Sequence, residues 1–430
     1  MIKTNHLKPH VIFYYVFSDG LGQPLVRGLH QGPVKDTPLH MASDGGNLDT
    51  VKQLMNGDEI DINTRGLYGL TPLMLAALKG HHDVFEYLHK RGADMTLTDR
   101  GGDHILSMAS VGGNMDIVKY AVTEKPYLIN RTRNDGRTSL MWAAWHGRET
   151  IFVYLLDNGA GYMSMDNDGD NILHYASHGG HTVIVEKVLA DSKIDVDSSD
   201  RYGRTAVMEA VKQGYEQVFD ILVGYGCDIS HIDNDGNNVL HVACRGGHVA
   251  MVEHVLSQTN VDINSRGKDG ATPLMFAARG RHRGVFDLLV AKRADASLLD
   301  DKGNNILHVA CMGGHVGMVE HVLSQDMVDI NSQGRRGRTP LLWAALRKHS
   351  AVIRLLLGQD ADLLQLDDDG NNILHVSCET GNEEIVRVVL SQNKLDINAR
   401  NGRDETASMI AKRTHQNNLH ELLLHNEVKN

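Results

Sequence analysis

The sequence predicts an all-α solenoid of about twelve helix-turn-helix units joined by short hairpin-like loops. Three observations predict it. A leucine-type position recurs at Leu39, Leu73, Leu106, Leu140, Leu173, Val207, Leu240, Leu274, Leu307, Leu341, Leu374 and Ser408, and its spacing alternates strictly between a longer and a shorter step. Recurrence this regular is the mark of stacked repeats rather than of one globule. At 430 residues the chain also exceeds what one hydrophobic core usually serves.

Each unit justifies its elements in order. In the unit that opens at Thr272, the threonine is placed to cap a helix. Pro273 follows in the first turn, where no backbone N–H is missed. Leu274, Ala277 and Ala278 make one apolar face. Residues 279–282 turn the corner, and Val285, Phe286, Leu288 and Leu289 make the face of a second helix. Alanines let paired helices approach closely, and stacking on neighbours supplies the core that neither helix has alone. Between units stand Asp-Gly turns, as at Asn134-Asp135-Gly136 and Asp368-Asp369-Gly370, which favour a tight hairpin. Arg281 and Lys348 stand where other units have the helix-turn glycine, and Asp404 replaces a hairpin glycine. The last unit, with Ser408 for leucine and a second helix over 418–424, reads as a cap. Residues 1–30 match poorly and read as a leader or partial N-terminal cap. The array is drawn over 31–426 and a tail over 427–430.

Units alternate between two types, so the full period is a pair of units. One type reads NNILHVAC-x-GGHV, as at Asn305, and the other G-R-T-P-L-M-x-A-A, as at Thr339. In the residue before the helix turn, Gly112, Gly179, Gly246 and Gly313 alternate with Lys79, His146, Gln213, Gly280 and Arg347. In the hairpins, Arg137, Arg204 and Arg338 alternate with Asp170, Asn237, Asn304 and Asn371. A groove floor of bare backbone alternating with long polar side chains is therefore expected.

Composition narrows the function. A net charge of −11 excludes a general nucleic-acid footprint. The stretch VIFYYVF at 11–17 is too short to span a bilayer, so no direct membrane insertion is expected. Four cysteines make no disulfide scaffold, which points to a reducing compartment, the cytoplasm with the nucleus as the alternative. Cys244, Cys311 and Cys378 recur once per pair of units and read as buried packing residues, whereas Cys227 in its G-C-D loop is expected to be accessible. The 25 histidines fall on repeat positions and form no cluster of metal-ligand spacing. The acidic turns DNDGD, DNDGN, DDKGN and DDDGN lack the twelve-residue calcium-loop pattern and read as solvated hairpin tips. Paired glycines such as Gly246-Gly247 lack the G-K-[ST] ending of a phosphate loop. No catalytic residue, metal or cofactor is expected, and the chain reads as a non-enzyme.

The recurring T-P-L-H/M-x-A-A-x-x-G-H…V-x-x-L-L-x-x-G-A-D pattern resembles the ankyrin-repeat family, over residues 36–424. The resemblance implies a gently curved array whose first helices and hairpin tips line a concave face. It implies that His40, His174, His241, His308 and His375 hydrogen-bond across units. It also implies that His82, His181, His248, His282, His315 and His349 brace the helix turn, and that the chain binds other proteins. By the same resemblance, Asn264, Asn331 and Asn398, which end VDIN or LDIN loops downstream of Leu256, Leu323 and Leu390, are candidates for asparaginyl hydroxylation. The plainer role is to hydrogen-bond the loop.

The function expected is a non-enzymatic protein-binding scaffold or adaptor using the concave groove. The alternatives are a structural tether, or the cytosolic ankyrin component of a larger signalling or channel assembly. Two surface stretches stand out as partner-binding candidates. One is aromatic and centred on Trp145, at the end of a first helix where a tryptophan makes a typical binding hot spot, flanked by His146 and Arg148. The other is basic, comprising Arg137, Arg201, Arg204, Arg245, Arg279, Arg335, Arg338 and Arg347, and would select an acidic partner segment.

Overall fold

The computed structural model describes residues 35–56, 60–258 and 260–427. The leader drawn over 1–30 and its apolar stretch at 11–17 lie outside the described residues, as do 428–430. The described residues form twelve antiparallel helix pairs, from Pro38–Asp44 with Leu48–Met55 to Ala407–Arg413 with Asn417–Glu427. First helices pack on the first helices of neighbouring units, and second helices on second helices. The last helix runs to Glu427, past the edge drawn from sequence. Extended pairing among the described residues is limited to isolated bridges, such as Thr98 with His104 and Ser199 with Thr205.

Helix starts follow the capping chemistry of the two unit types. In the proline type, a threonine hydroxyl accepts an N–H of the first turn, as from Met275 to Thr272 at 3.4 Å. In the asparagine type, Asn305 Oδ1 accepts two N–H groups, from Leu307 and His308, at 3.0 and 3.1 Å. His308 Nδ1 accepts the Asn305 N–H at 3.2 Å, and its Nε2–H donates to the Arg338 carbonyl of the next unit at 3.1 Å. One ring thus caps its own helix and joins two units. Equivalent cross-unit bonds run from His40 to Leu70, His174 to Arg204 and His375 to Glu405. Burial pulls the His241 and His308 imidazoles down to about 4, so each stays neutral in this role.

A second histidine position ties backwards. His81, His181, His282 and His349 each donate to a carbonyl at the end of the preceding unit's first helix, at 2.9, 2.7, 3.0 and 3.2 Å. The residue in this register is His81 and not His82. His82 opens the second helix, its Nδ1 3.9 Å from Asp83.

The core explains the two-unit period. Phe85, Phe152, Phe219 and Phe286 are fully buried in the second helices of alternate units, and Val118, Val185, Val252 and Val319 occupy the same register between them. Large and small side chains alternate along the stack, which is how a close-packed core avoids both voids and overlap. Cys244, Cys311 and Cys378 are buried, as expected. Cys227 is buried too, contrary to expectation. Its loop folds back so that its N–H meets the Leu222 carbonyl, and burial pushes its thiol up to about 12.

Hairpin tips are linked from unit to unit by main-chain bonds, as from Arg100 to Tyr68 and from Asp301 to Asp269. At three seams a side chain takes over: Asp36 Oδ1 accepts the Leu67 N–H at 2.8 Å, Asn237 Oδ1 the Lys268 N–H at 3.0 Å and Asn304 Oδ1 the Arg335 N–H at 3.1 Å. Glycine is required beside them, because a Cβ on Gly267 would stand 2.6 Å from Asn237 Oδ1 and 2.9 Å from the His241 ring.

The helix turns need a left-handed residue, supplied by glycine at Gly80, Gly113, Gly214, Gly247 and Gly314. Arg281 and Lys348 adopt the same conformation, with φ of 70° and 64°. A side chain there costs roughly 1–2 kcal/mol, set against about 0.5–1 kcal/mol for glycine's extra backbone entropy. Arg281→Gly and Lys348→Gly are therefore each expected to stabilise the array by about 0.5–1 kcal/mol. A urea unfolding midpoint that falls in either variant would contradict this.

Candidate functional site

The face built from first helices and hairpin bases is where the sequence places the groove, and its side chains divide into a locked set and a free set. The locked set centres on the fourth and fifth units. Trp142, buried in the helix Ser139–Trp145, donates from Nε1 to Asp103 Oδ1 at 3.1 Å. Trp145 is half-buried, its ring nearly parallel to that of Trp142 at 5.5 Å and edge-on to His178 at 4.8 Å. The Arg137 guanidinium lies 5.7, 5.9 and 5.8 Å from the rings of Trp142, Trp145 and Tyr175. Its Nε–H donates to the Tyr175 hydroxyl at 2.7 Å, which donates to Asp166 Oδ2 at 2.6 Å.

Burial sets the protonation of this cluster. It raises Asp103 to about 6, against the pull of Arg133. Burial, followed by repulsion from Asp166, Glu209, Asp200 and Asp168, pushes Asp170 to about 8. It pulls His146, stacked on both tryptophans, down to about 4. Burial also acts to raise the Glu209 carboxyl. A hydrogen bond from His178 at 2.9 Å and the Lys212 ammonium outweigh it and hold the carboxyl well below its usual range.

Three of the arginines offered by the sequence for a partner are structural braces. Arg137 is held as above. Arg338 is 8% exposed, and its Nε–H donates to the buried Asp367 at 3.1 Å. Arg148 donates twice to the Val111 carbonyl, at 2.9 and 3.1 Å, in the role of the bracing histidines. Arg201 pairs with Asp168 at 2.7 Å. Arg204, Arg245, Arg279, Arg335 and Arg347 make no side-chain hydrogen bond or ion pair among the described residues, and Arg279, Arg335 and Arg347 are exposed.

The structure revises two readings of the repeat. Gly112, Gly179, Gly246 and Gly313 do not floor a groove. A Cβ on any of them would strike the preceding helix's last turn, at the carbonyls of Ala77, Trp145, Lys212 and Arg279 respectively. The acidic turns are likewise not simply solvated. Asp166, Asp233 and Asp367 are buried and hold their hairpins, Asp233 Oδ1 accepting the Asp235 and Asn237 N–H groups at 3.0 and 2.8 Å. Sequence reasoning missed these aspartates. Their signal was the recurrence of Asp at the opening of every second hairpin, as ahead of Asp170, Asn237 and Asn371. Among the described residues, no group of three or more His, Cys, Asp or Glu is arranged to hold a metal ion. No helix among them is long and apolar enough to cross a membrane. Asn264 and Asn331 each bind the next loop, accepting the Asp295 and Asp362 N–H groups at 2.8 Å, while Asn398 is exposed.

A family model described as "Ankyrin repeats (3 copies)" matches residues 16–99, 91–166, 154–233, 219–300 and 281–367, and one described as "Ankyrin repeat" matches 369–402. The chain is 26% identical over 407 residues to Transient receptor potential cation channel subfamily A member 1 of Homo sapiens, covering 83% of this chain and 36% of that protein. It is 22% identical over 432 residues to Ankyrin repeat domain-containing protein SAT10 of Stachybotrys chartarum, covering 85% of this chain and 22% of that one. It thus spans well under half the length of either relative. The solved human ASB11 ankyrin repeat domain aligns with 51% of this chain and 98% of its own, at 24% identity and a TM-score of 0.45.

The locked and free arginines are separable by stability. Arg338→Gln strands the buried Asp367 carboxylate and is expected to destabilise by about 3–5 kcal/mol. Arg245→Gln breaks no ion pair and should stay within about 0.5 kcal/mol of the parent. Urea unfolding of both variants checks this, and equal losses would refute the division.

Proposed function

The chain belongs to the ankyrin-repeat family, and on that premise we propose that it is a non-enzymatic protein-binding scaffold that takes its partner on the face of its first helices and hairpins. One observation carries the reading. Along that face, a partly exposed tryptophan, Trp145, stands in the fourth unit, and arginines that make no side-chain hydrogen bond or ion pair among the described residues follow in the sixth to tenth. Arginine and tryptophan dominate binding energy at protein interfaces. A face that runs along many units suits a partner that lies across several of them.

The partner-binding residues proposed are therefore Trp145, Arg204, Arg245, Arg279, Arg335 and Arg347. Arg201, exposed but paired with Asp168, is a lesser contributor. His146, Arg137, Arg148 and Arg338 support the face from behind. A second reading is favoured by the match to a cation channel over 83% of this chain. In it, the same array serves as the ankyrin component of a larger channel-like or signalling assembly. The cytoplasm, with the nucleus as alternative, is the proposed location under both.

Affinity capture from native lysate tests the scaffold reading. A variant carrying Arg245→Glu and Arg279→Glu should lose most of the captured protein, whereas Arg354→Glu on a second helix should lose none. Equal capture by all three proteins would sink the proposal. We also carry Asn264, Asn331 and Asn398 forward as proposed hydroxylation sites. Asn398 is the most exposed of the three and should be modified most, since the other two side chains are engaged by the following loop. Peptide mass spectrometry that finds no added oxygen on any of the three in native material would dispose of this.

A further inference from the structure

Arg204, Arg245 and Arg279 stand together on the sixth, seventh and eighth units. Arg204 precedes Thr205, the N-terminal cap of Ala206–Gln213. Arg245 and Arg279 occupy the same position in the last turns of Val239–Gly246 and Pro273–Gly280, two first helices that pack on each other. The Arg245 guanidinium lies 5.0 Å from the centre of the half-buried Phe276 ring, and Arg204 lies 5.1 Å from that of the exposed Tyr202. Two of the guanidiniums are therefore laid against aromatic faces, with their forks left unused.

What distinguishes this triad is that the carboxylates facing it are already taken. Asp233 is engaged by the Asn237 amide at 3.0 Å, and Asp235 by Lys268 at 2.9 Å. Glu209 is bonded to His178 at 2.9 Å, Asp269 pairs with Lys302 at 2.8 Å, and Asp200 accepts the Arg204 and Tyr202 N–H groups at 2.7 and 2.8 Å. Elsewhere on the same face, Arg137 and Arg338 reach a carboxylate or a phenol directly. Burial, followed by repulsion from Arg204 and Arg279, holds the Arg245 guanidinium below its ordinary range, against the opposing pull of Asp233 and Asp235. Positive charge has thus been gathered on a chain of net charge −11 and left without an internal counter-charge in contact.

We propose that these three arginines form the recognition site for an acidic peptide segment of a partner protein, with its carboxylates on the guanidinium forks and an apolar side chain against Phe276. This rests on the reading of the face as a protein-binding surface. The spacing of the fit is simple. Two unit steps at about 10 Å each, with Arg204 offset by about 11 Å to the other end of the first helices, put the ends of the triad roughly 23 Å apart, which an extended peptide crosses in about seven residues. A guanidinium takes a carboxylate through two parallel N–H bonds, so arginine reads this group with a fixed geometry that an ammonium lacks. Phe276 favours a peptide over a bare inorganic polyanion, because only a peptide brings an apolar group to cover it.

The test uses the full chain and a short fluorescein-labelled peptide of glutamates interrupted by two leucines, read by fluorescence anisotropy over a salt series. Arg204→Gln, Arg245→Gln and Arg279→Gln combined should weaken binding at least about tenfold and flatten its salt dependence. Arg354→Gln with Arg387→Gln, equally basic but on the exposed side of second helices, should change it less than about twofold. If the triple variant melts early, Arg279→Gln alone, at an exposed site, carries the test with about a threefold loss expected. Absence of peptide binding to the parent, or equal loss in the control pair, overturns the proposal. So does inorganic polyphosphate binding the triad while the peptide does not. If the peptide fails while lysate capture still depends on Arg245 and Arg279, only the acidic-segment assignment falls. If capture is indifferent to them as well, the scaffold reading falls with it.

Discussion

A neutral imidazole donating to a carbonyl one unit away is the bond on which this stack is built. Each first helix has only about two turns, too few to be stable in water by itself. It exists because its apolar face lies on a neighbour and, in the asparagine-type units, because its cap is shared with that neighbour. His308 shows how the two are joined, with Nδ1 closing the cap of its own helix while Nε2–H reaches Arg338. The bond requires one nitrogen to accept and the other to donate, which only the neutral ring can do. Burial supplies that condition. Position, tautomer and charge state are therefore one constraint, and the second helices, hairpins and exposed faces are placed by it.

The repeat architecture was legible because it is periodic. Twelve leucine-type positions in alternating register, threonine or asparagine at each helix start, and glycine at each left-handed turn are local signals repeated often enough to be unmistakable. The exceptions were legible for the same reason, since Arg281, Lys348 and Asp404 break an otherwise regular column and all three do adopt positive φ. The candidate site was legible only in part. Arg137, Arg204 and Arg338 share a register, yet their fates differ. Each has an aspartate at the opening of the following hairpin, and Arg338 makes a 3.1 Å bond to its own, Asp367. Asp233, the counterpart for Arg204, is held by both hydrogen bonds of the Asn237 amide, at 3.1 and 3.0 Å. At Asp367 the equivalent amide stands off at 3.4 Å. Whether an arginine is free thus turns on competition at a hairpin base, which no spacing rule records.

The two-unit period likewise had its meaning reassigned by the structure. Read along the chain, it suggested alternating rungs for a partner. In three dimensions it is first a packing period, with phenylalanine and valine taking turns in the second helices and glycine admitting a neighbouring carbonyl at every other first helix. The same logic places Trp142 and Trp343 three periods apart with different surroundings. Trp142 finds Asp103, whereas the residue in that place before Trp343 is Asn304, whose oxygen already holds the Arg335 N–H, so the buried Trp343 Nε1 has no hydrogen-bond partner among the described residues.

The three hairpin seams closed by Asp36, Asn237 and Asn304 carry a mechanical consequence. Among the described residues every link in the stack joins nearest neighbours, so a tension applied to its ends passes through the seams in series. Most seams are closed by a main-chain bond between hairpin tips, but at these three the corresponding bond comes from the tip of a side chain with rotatable torsions of its own. Under extension, those torsions turn before the main-chain links stretch. Strain imposed by a bound partner or a tethered neighbour then collects at the units on either side of Leu67, Lys268 and Arg335.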